Sequence, residues 1–261
     1  MARGDLNATS APGNALKKLA AYGQSCWLDD LSRRMIEGEV SRFVAEGVCG
    51  VAANPATMAR AITSGTDYDA DIRHAAAGRS TSEIYDALLT SDVRRACDIL
   101  RPVYEESRGE DGFVSLEVSP WLADDTGGSI AEAKRFWVAV DRPNLFIKIP
   151  GTAAGVPAIE ELLFDGININ ITLLFSVDRY EAVADALERR IAANRPVAGI
   201  SSVASFFLSR IDVLVDKLLE SNADAHARDL CGRLLPRPQR VAGPSWRWRL
   251  AIVWSGLDNV L

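Results

Sequence analysis

The sequence predicts an α/β protein and, within that class, a closed eight-stranded parallel barrel, the (β/α)8 or TIM type. Two observations carry this. From Phe113 onward, strand-like and helix-like stretches alternate with short links, the pattern of parallel strands joined by right-handed crossovers. The strands are also two-faced. Val114, Leu116 and Val118 alternate with Ser115, Glu117 and Ser119, and Ile169, Ile171 and Leu173 alternate with Asn168, Asn170 and Thr172. Leu145, Ile147 and Ile149 alternate with Phe146, Lys148 and Pro150, and Trp27 and Asp29 lie opposite Cys26 and Leu28. An open sheet with helices on both faces would be apolar throughout. Here helices can cover only the apolar side, so the polar sides must face one another, as they do inside a barrel. The competing reading, separate strand-end polar groups at the water boundary, stays open at this point.

Each element follows in chain order. Residues 1–12 read as a disordered lead-in and Ala15–Tyr22 as a short helix. Gln24–Leu31 reads as a strand ending in two acids, followed by a helix from Ser32 toward Val44 with Gly47 as its stop. Cys49–Pro55 is a second strand, closed by Asn54-Pro55. Helices follow over 56–64, 68–77 and 82–106, the last with capping chemistry in Ser80-Thr81-Ser82-Glu83. Strands at 113–120, 145–150, 167–175 and 199–207 then alternate with helices at 129–140, 156–163, 176–193 and 211–220. The expected organisation is a lead-in with a short helix over 1–22, a barrel body over 23–222 and an atypical tail over 223–261.

Composition limits the function. With 261 residues, 48% of them hydrophobic and 25% charged, the chain suits one barrel domain. A net charge of -6 gives no reason to expect nucleic acid or an anionic membrane as partner. No apolar run is long enough to span a bilayer, and Met1–Ala20 lacks the apolar core of a secretory signal. Cys26, Cys49, Cys97 and Cys231 have no CxxC spacing and read as reduced thiols, which points to the cytoplasm. His74 and His226 lie far from each other and from the cysteines, so no metal site is expected.

The stretch that organises the chemistry is Asn144–Thr152, a buried strand with one lysine, Lys148, in its middle. Burying an unpaired ammonium costs several kcal/mol, so such an amine tends to become neutral. A neutral amine attacks carbonyls to give a Schiff base. The barrel arrangement places Asp29, Asn54, Glu117, Lys148, Asn170 and Thr172 near one mouth, at the C-terminal ends of the strands. A carboxylate such as Glu117 can shuttle the proton lost with water from the carbinolamine, directly or through a water held by Thr172. Asp29, on another strand, is placed to take a hydroxyl proton while the imine accepts electrons from the breaking carbon–carbon bond. Asn54 and Asn170 offer amide groups for sugar hydroxyls. None of this needs a metal or a cofactor. Alternatives stand beside these readings. Asp29 and Asp30 can cap the following helix, Glu117 can serve only as an ion-pair partner of Lys148, and Arg210 is either a surface residue or a phosphate ligand beside a helix N-terminus.

At these residues the chain resembles the transaldolases, in their longer-chain bacterial form. The motifs are Trp27-Leu28-Asp29-Asp30-Leu31-Ser32-Arg33, Asn54-Pro55, Val114–Pro120, Pro143–Pro150, Asn168–Ser176 and Val203–Arg210. The resemblance runs in order from about Gly23 to about Glu220 and implies a class I aldolase-type barrel in the pentose phosphate pathway, transferring a dihydroxyacetone unit between phosphorylated sugars. It implies Lys148 as the Schiff-base residue, Asp29 as acid/base for carbon–carbon cleavage, and Glu117 and Thr172 as handlers of the catalytic water. Asn54, Asn170, Ser205 and Phe207 are implied to line the substrate and Arg210 to bind phosphate. A Schiff-base aldolase without transfer and an inactive, truncated remnant are the alternative functions. The chain departs from the family at Ala52-Ala53, where small hydroxyls are usual, and after about Leu230, where the family's last strands have no expected counterpart. The Arg-, Pro- and Trp-rich tail shows no period until Leu250–Trp254, so an incomplete C-terminal barrel is expected, with an open edge that invites aggregation or a homo-oligomer.

Overall fold

A computed structural model describes residues 15–20, 22–75, 78–193, 199–207, 209–221, 224–228, 230 and 248–252. They fall into two compact units, Met1–Val114 with Val140–Leu145 and Ser115–Ala139 with Phe146–Leu261. The lead-in over 1–12 lies outside the described residues.

In the first unit, helix α1 (Ala15–Ala20) precedes strand β1 (Cys26–Leu28). The strand is shorter than the expected Gln24–Leu31, so Asp29 and Asp30 lie just past its C-terminal end. A π-helical turn (Met35–Glu39) then runs into helix α2 (Val40–Glu46), which Gly47 ends at φ 110°, a conformation that favours glycine. Strand β2 (Val48–Ala53) pairs in parallel with β1, Trp27 opposite Gly50. A Cβ on Gly50 would stand 2.3 Å from the Trp27 indole, so the missing side chain makes room for the ring. Helix α3 (Pro55–Thr63), helix α4 (Asp69–Ala75) and the long helix α5 (Thr81–Glu106) follow. The expected capping box at α5 is present: Glu83 N–H donates to Ser80 Oγ, and Glu83 Oε2 accepts from Ser80 N–H at 2.7 Å.

A buried polar knot holds this unit together. Arg33, just ahead of the π-helical turn, donates Nε and Nη2 to Asp92 Oδ1 at 3.1 and 2.9 Å, and also pairs with Asp71. Its guanidinium stacks 4.5 Å above the Tyr68 ring, and Tyr68 donates its hydroxyl to Asp92 Oδ2. Asp92 is fully buried, and a buried carboxylate persists only when its lone pairs are used. Asn144 is a second buried tie, with Nδ2 donating to the carbonyls of Cys97 and Gly112.

Strand β3 (Phe113–Glu117) begins in the first unit and continues into the second. There, helix α6 (Thr126–Val140) starts earlier than expected because Asp125 Oδ1 accepts from Gly128 N–H. Strand β4 (Leu145–Pro150), helix α7 (Gly155–Phe164), strand β5 (Ile169–Leu174), helix α8 (Val177–Ala192), strand β6 (Ser202–Phe206) and helices α9 (Ser209–Glu220) and α10 (Ala225–Arg228) follow. Strand neighbours in this unit keep chain order, and β4–β5 and β5–β6 are parallel. No helix among the described residues is long and apolar enough to cross a membrane.

Two expectations need correction here. The tail does carry a strand: β7 (Trp248–Ile252) pairs in parallel with β6, Trp248 opposite Ser202 through Ile252 opposite Phe206. Trp248, Leu250 and Ile252 alternate with Arg249 and Ala251, a period of two that the surrounding arginines obscure. The rest of the tail beyond Leu230, including Cys231, lies outside the described residues. Leu173 does not share a face with Ile169 and Ile171 in regular alternation. It sits at φ 57°, and the β5–β6 register slips between Ile171 and Leu174. Ile171 faces Ala204 and Leu174 faces Phe206, so Thr172 and Leu173 together oppose Ser205. This is a β-bulge. It returns Leu174 to the Ile171 side, where a Cβ on Gly151 would touch both side chains.

Candidate active site

Within the second unit, the polar residues of β3, β4, β5 and β6 form one connected group. Val118 N–H donates to the Lys148 carbonyl, which sets Glu117 beside Lys148 in the parallel ladder. Lys148 in turn pairs with Asn170 across β4–β5. Lys148 Nζ lies 3.0 Å from Glu117 Oε2, with the two side chains 5% and 14% exposed. The ion-pair reading of Glu117 is therefore met geometrically. It does not compete with a proton-transfer role, because a carboxylate that touches the amine is also positioned to take its proton.

Beside this pair, Asn170 Nδ2 donates to Ser115 Oγ at 2.9 Å, and Ser205 Oγ donates to Asn170 Oδ1 at 2.8 Å. Ser115 and Asn170 lie two strands apart. In a flat sheet those backbones stand about 9.6 Å apart, too far for a serine and an asparagine to meet. The polar face of β3–β5 is therefore the concave one. Both ends of the Asn170 amide are occupied, which fixes its orientation. Thr172, one side-chain step further along β5, is fully buried, and its Oγ1 has no hydrogen-bond partner among the described residues. A buried hydroxyl in that state suits a bound water.

Phe207 follows β6, is buried, and stacks on Phe175 with centroids 5.4 Å apart. Arg210 lies in the first turn of α9, as expected of a residue beside a helix N-terminus, but its side chain lies outside the described residues.

Asp29 and Asn54 belong to the first unit. Each stands immediately after a strand, Asp29 after β1 and Asn54 after β2, where barrel enzymes carry catalytic groups. In the helix after β1, Ser32 Oγ accepts from Met35 N–H at 3.3 Å. Asn54 does cap: its Oδ1 accepts from Thr57 N–H at 3.0 Å, with Pro55 opening α3. Ala52 and Ala53, where the family usually has hydroxyls, are buried.

Sequence reasoning did not single out two residues of the second unit. Ser115 was legible as a polar-face neighbour of Glu117, but only the fold shows that it anchors Asn170. Phe175 falls on the apolar side by strict alternation, and only the bulge turns it toward Phe207.

The sequence matches the family described as Transaldolase/Fructose-6-phosphate aldolase over residues 26–233. Among curated proteins it is 48% identical over 215 residues to Transaldolase 2 of Nostoc sp., covering 80% of this chain and 56% of that one. It is 46% identical over 237 residues to a transaldolase of Thermobifida fusca, covering 88% and 64%. It is also 46% identical over 240 residues to Transaldolase 1 of Streptomyces coelicolor, covering 89% and 63%. The chain thus spans between 56% and 64% of the length of these relatives.

Proposed function

The chain belongs to the transaldolase/fructose-6-phosphate aldolase family, and we propose that it transfers a dihydroxyacetone unit through a lysine Schiff base. The fold class is accordingly an incomplete (β/α)8 barrel of the class I aldolase type. The donor is a ketose phosphate such as sedoheptulose 7-phosphate and the acceptor an aldose phosphate such as glyceraldehyde 3-phosphate. The setting is the pentose phosphate pathway in the cytoplasm, with sugar phosphates as partners, neither nucleic acid nor membrane, and self-association into a homo-oligomer.

The observation that carries this reading is the buried Lys148–Glu117 pair with the unpartnered Thr172 hydroxyl on the neighbouring strand. Transfer of the ammonium proton to Glu117 leaves Lys148 Nζ with a free lone pair. The amine adds to the donor ketone, and the carbinolamine loses water as Glu117 returns the proton, with Thr172 holding the water in place. Asp29 accepts the hydroxyl proton as the carbon–carbon bond breaks and the protonated imine takes up the electrons. The acceptor aldehyde then reverses these steps. Asn54, Asn170, Ser205 and Phe207 line the sugar chain, and Arg210 holds the phosphate.

Incubation with a ketose phosphate and borohydride should trap an adduct on the peptide carrying Lys148. An adduct on another lysine, or full activity in Lys148→Ala, would end the Schiff-base reading. Release of free dihydroxyacetone at the transfer rate would make the chain an aldolase without transfer. A purified chain that does not fold would make it an inactive remnant.

A further inference from the structure

Among the described residues, three non-glycine residues have positive φ, and two of them, Arg108 and Asp141, lie at turns after helices. The third, Leu173, lies inside a strand of the site. A left-handed conformation is unfavourable for leucine, whose Cβ crowds the following carbonyl. Such strain persists only where the surroundings impose it. What the conformation does can be read from both edges of β5. On the β4 edge the register is unbroken through Pro150 opposite Thr172, and Gly151 N–H donates to the Thr172 carbonyl at 2.7 Å. On the β6 edge one residue is gained, and Phe207 N–H donates to the Leu174 carbonyl at 3.0 Å. The bulge therefore leaves Thr172 in step with Lys148 while reversing the faces of the residues after it.

The geometry points to Leu173 as a positioning residue: its left-handed backbone absorbs the extra residue, so that Thr172 stays in register on the Lys148 side while Phe175 swings round to stack on Phe207. Without the extra residue Leu174 would enter the polar face and Phe175 would leave it. Leu173 touches no reacting atom in this account and acts through Thr172 and Phe175. The proposal rests on the Schiff-base reading above.

The test compares Leu173→Gly, Leu173→Asn, Leu173→Ala and Leu173→Ile with Thr172→Ala and Phe175→Ala. Single-turnover borohydride trapping reads imine formation, steady-state kinetics read KM for the donor, and thermal midpoints read folding. Glycine and asparagine accept positive φ and should keep kcat within about twofold of the parent. Isoleucine, branched at Cβ, should slow imine formation toward the level of Thr172→Ala and raise KM as Phe175→Ala does. The loss should be on the order of a hundredfold, as expected when a catalytic group is displaced by about an ångström. A merely structural leucine would instead give losses that follow the thermal midpoint, in glycine and alanine as much as in isoleucine. If the isoleucine variant does not fold, glycine and alanine carry the test. Both delete the side chain and only glycine takes the conformation freely, so kcat must be higher in glycine, and equal values overturn the proposal. Normal trapping in the parent with unchanged kinetics in Leu173→Ile also overturns it and leaves the Schiff-base reading standing. No adduct on Lys148 in the parent overturns both.

Discussion

Replacing Glu117 with glutamine keeps its size and removes its charge, and the Lys148–Glu117 geometry sets what that should cost. At the 3.0 Å separation, and with the effective dielectric of about 20 that suits such sites, the attraction is about 5.5 kcal/mol before desolvation is counted. Neither side chain is more than 14% exposed, so solvent replaces little of it. Removing one partner of a buried pair typically costs about 3–5 kcal/mol, because the other charge stays buried and unpaired. At roughly 3 °C per kcal/mol for a chain of this size, Glu117→Gln should melt about 10–15 °C below the parent. Lys148→Met should fall by a similar amount. The double variant should recover most of the loss, with a coupling energy of at least about 2 kcal/mol, since an apolar and a neutral side chain make no unpaired charge. Thermal melts of the four proteins under one buffer condition measure this directly. Two single-variant losses that add to within about 0.5 kcal/mol would mean that the two groups do not depend on one another, and the proton exchange that opens the proposed mechanism would lose its basis.

Burial and the adjacent Asp92 hold the Tyr68 phenol above its ordinary value of 10.0, so the folded state keeps a proton that the unfolded state gives up. Stability from this group is whole below pH 10 and is lost as pH rises beyond it. Tyr68→Phe should abolish a stability loss of about 1 kcal/mol between pH 10 and 11, checked by denaturant melts, and an unchanged slope would contradict the buried phenol. Burial also pushes the Cys97 thiol up, so an aromatic disulfide reagent should label half-buried Cys26 and Cys49 in the native protein and reach Cys97 only on unfolding. Gly155→Ala would put a Cβ 1.9 Å from the Pro150 carbonyl oxygen, forcing α7 away from the end of the lysine strand. It should cost about 1–3 kcal/mol by denaturant melt and lower kcat, and a variant with parental stability would mean that α7 has room to move.

The strands that carry chemistry were legible because their two faces differ. Glu117, Lys148 and Asn170 could be grouped from alternation alone, while Ser205 entered only through the family resemblance; the fold joins Glu117 to Lys148 by an ion pair and Asn170 to Ser205 by a hydrogen bond. Helix ends were legible where a residue has a local reason to stop or start the chain, as with Gly47, Asn54 and Ser80. What escaped was the register change at Leu173, since leucine gives none of the signals that glycine or asparagine gives for positive φ. Strand β7 escaped for a related reason: Trp248 and Arg249 belong to a run whose charge suggests a solvated loop. The knot of Arg33, Tyr68 and Asp92 joins residues 24 and 59 positions apart, and no local pattern announces it.

The hydrogen bond from Asn170 to Ser115 also measures how the strands are staggered. Along the rungs of the ladder, Ser115 stands beside Phe146, and Phe146 beside Asn168, because Glu117, Lys148 and Asn170 share the next rung on the same face. Yet Ser115 bonds to Asn170, two residues further on. Two residues over two strands is one residue per strand, the shear of an eight-stranded barrel with a shear number of 8. In such a barrel, horizontal layers are built from alternate strands, so Ser115 and Asn170 form one layer. Two residues up each strand, the next layer pairs Glu117 with Thr172, and Lys148, on the strand between, rises through the gap. The carboxylate and the unpartnered hydroxyl thus flank the amine from the two strands on either side of it.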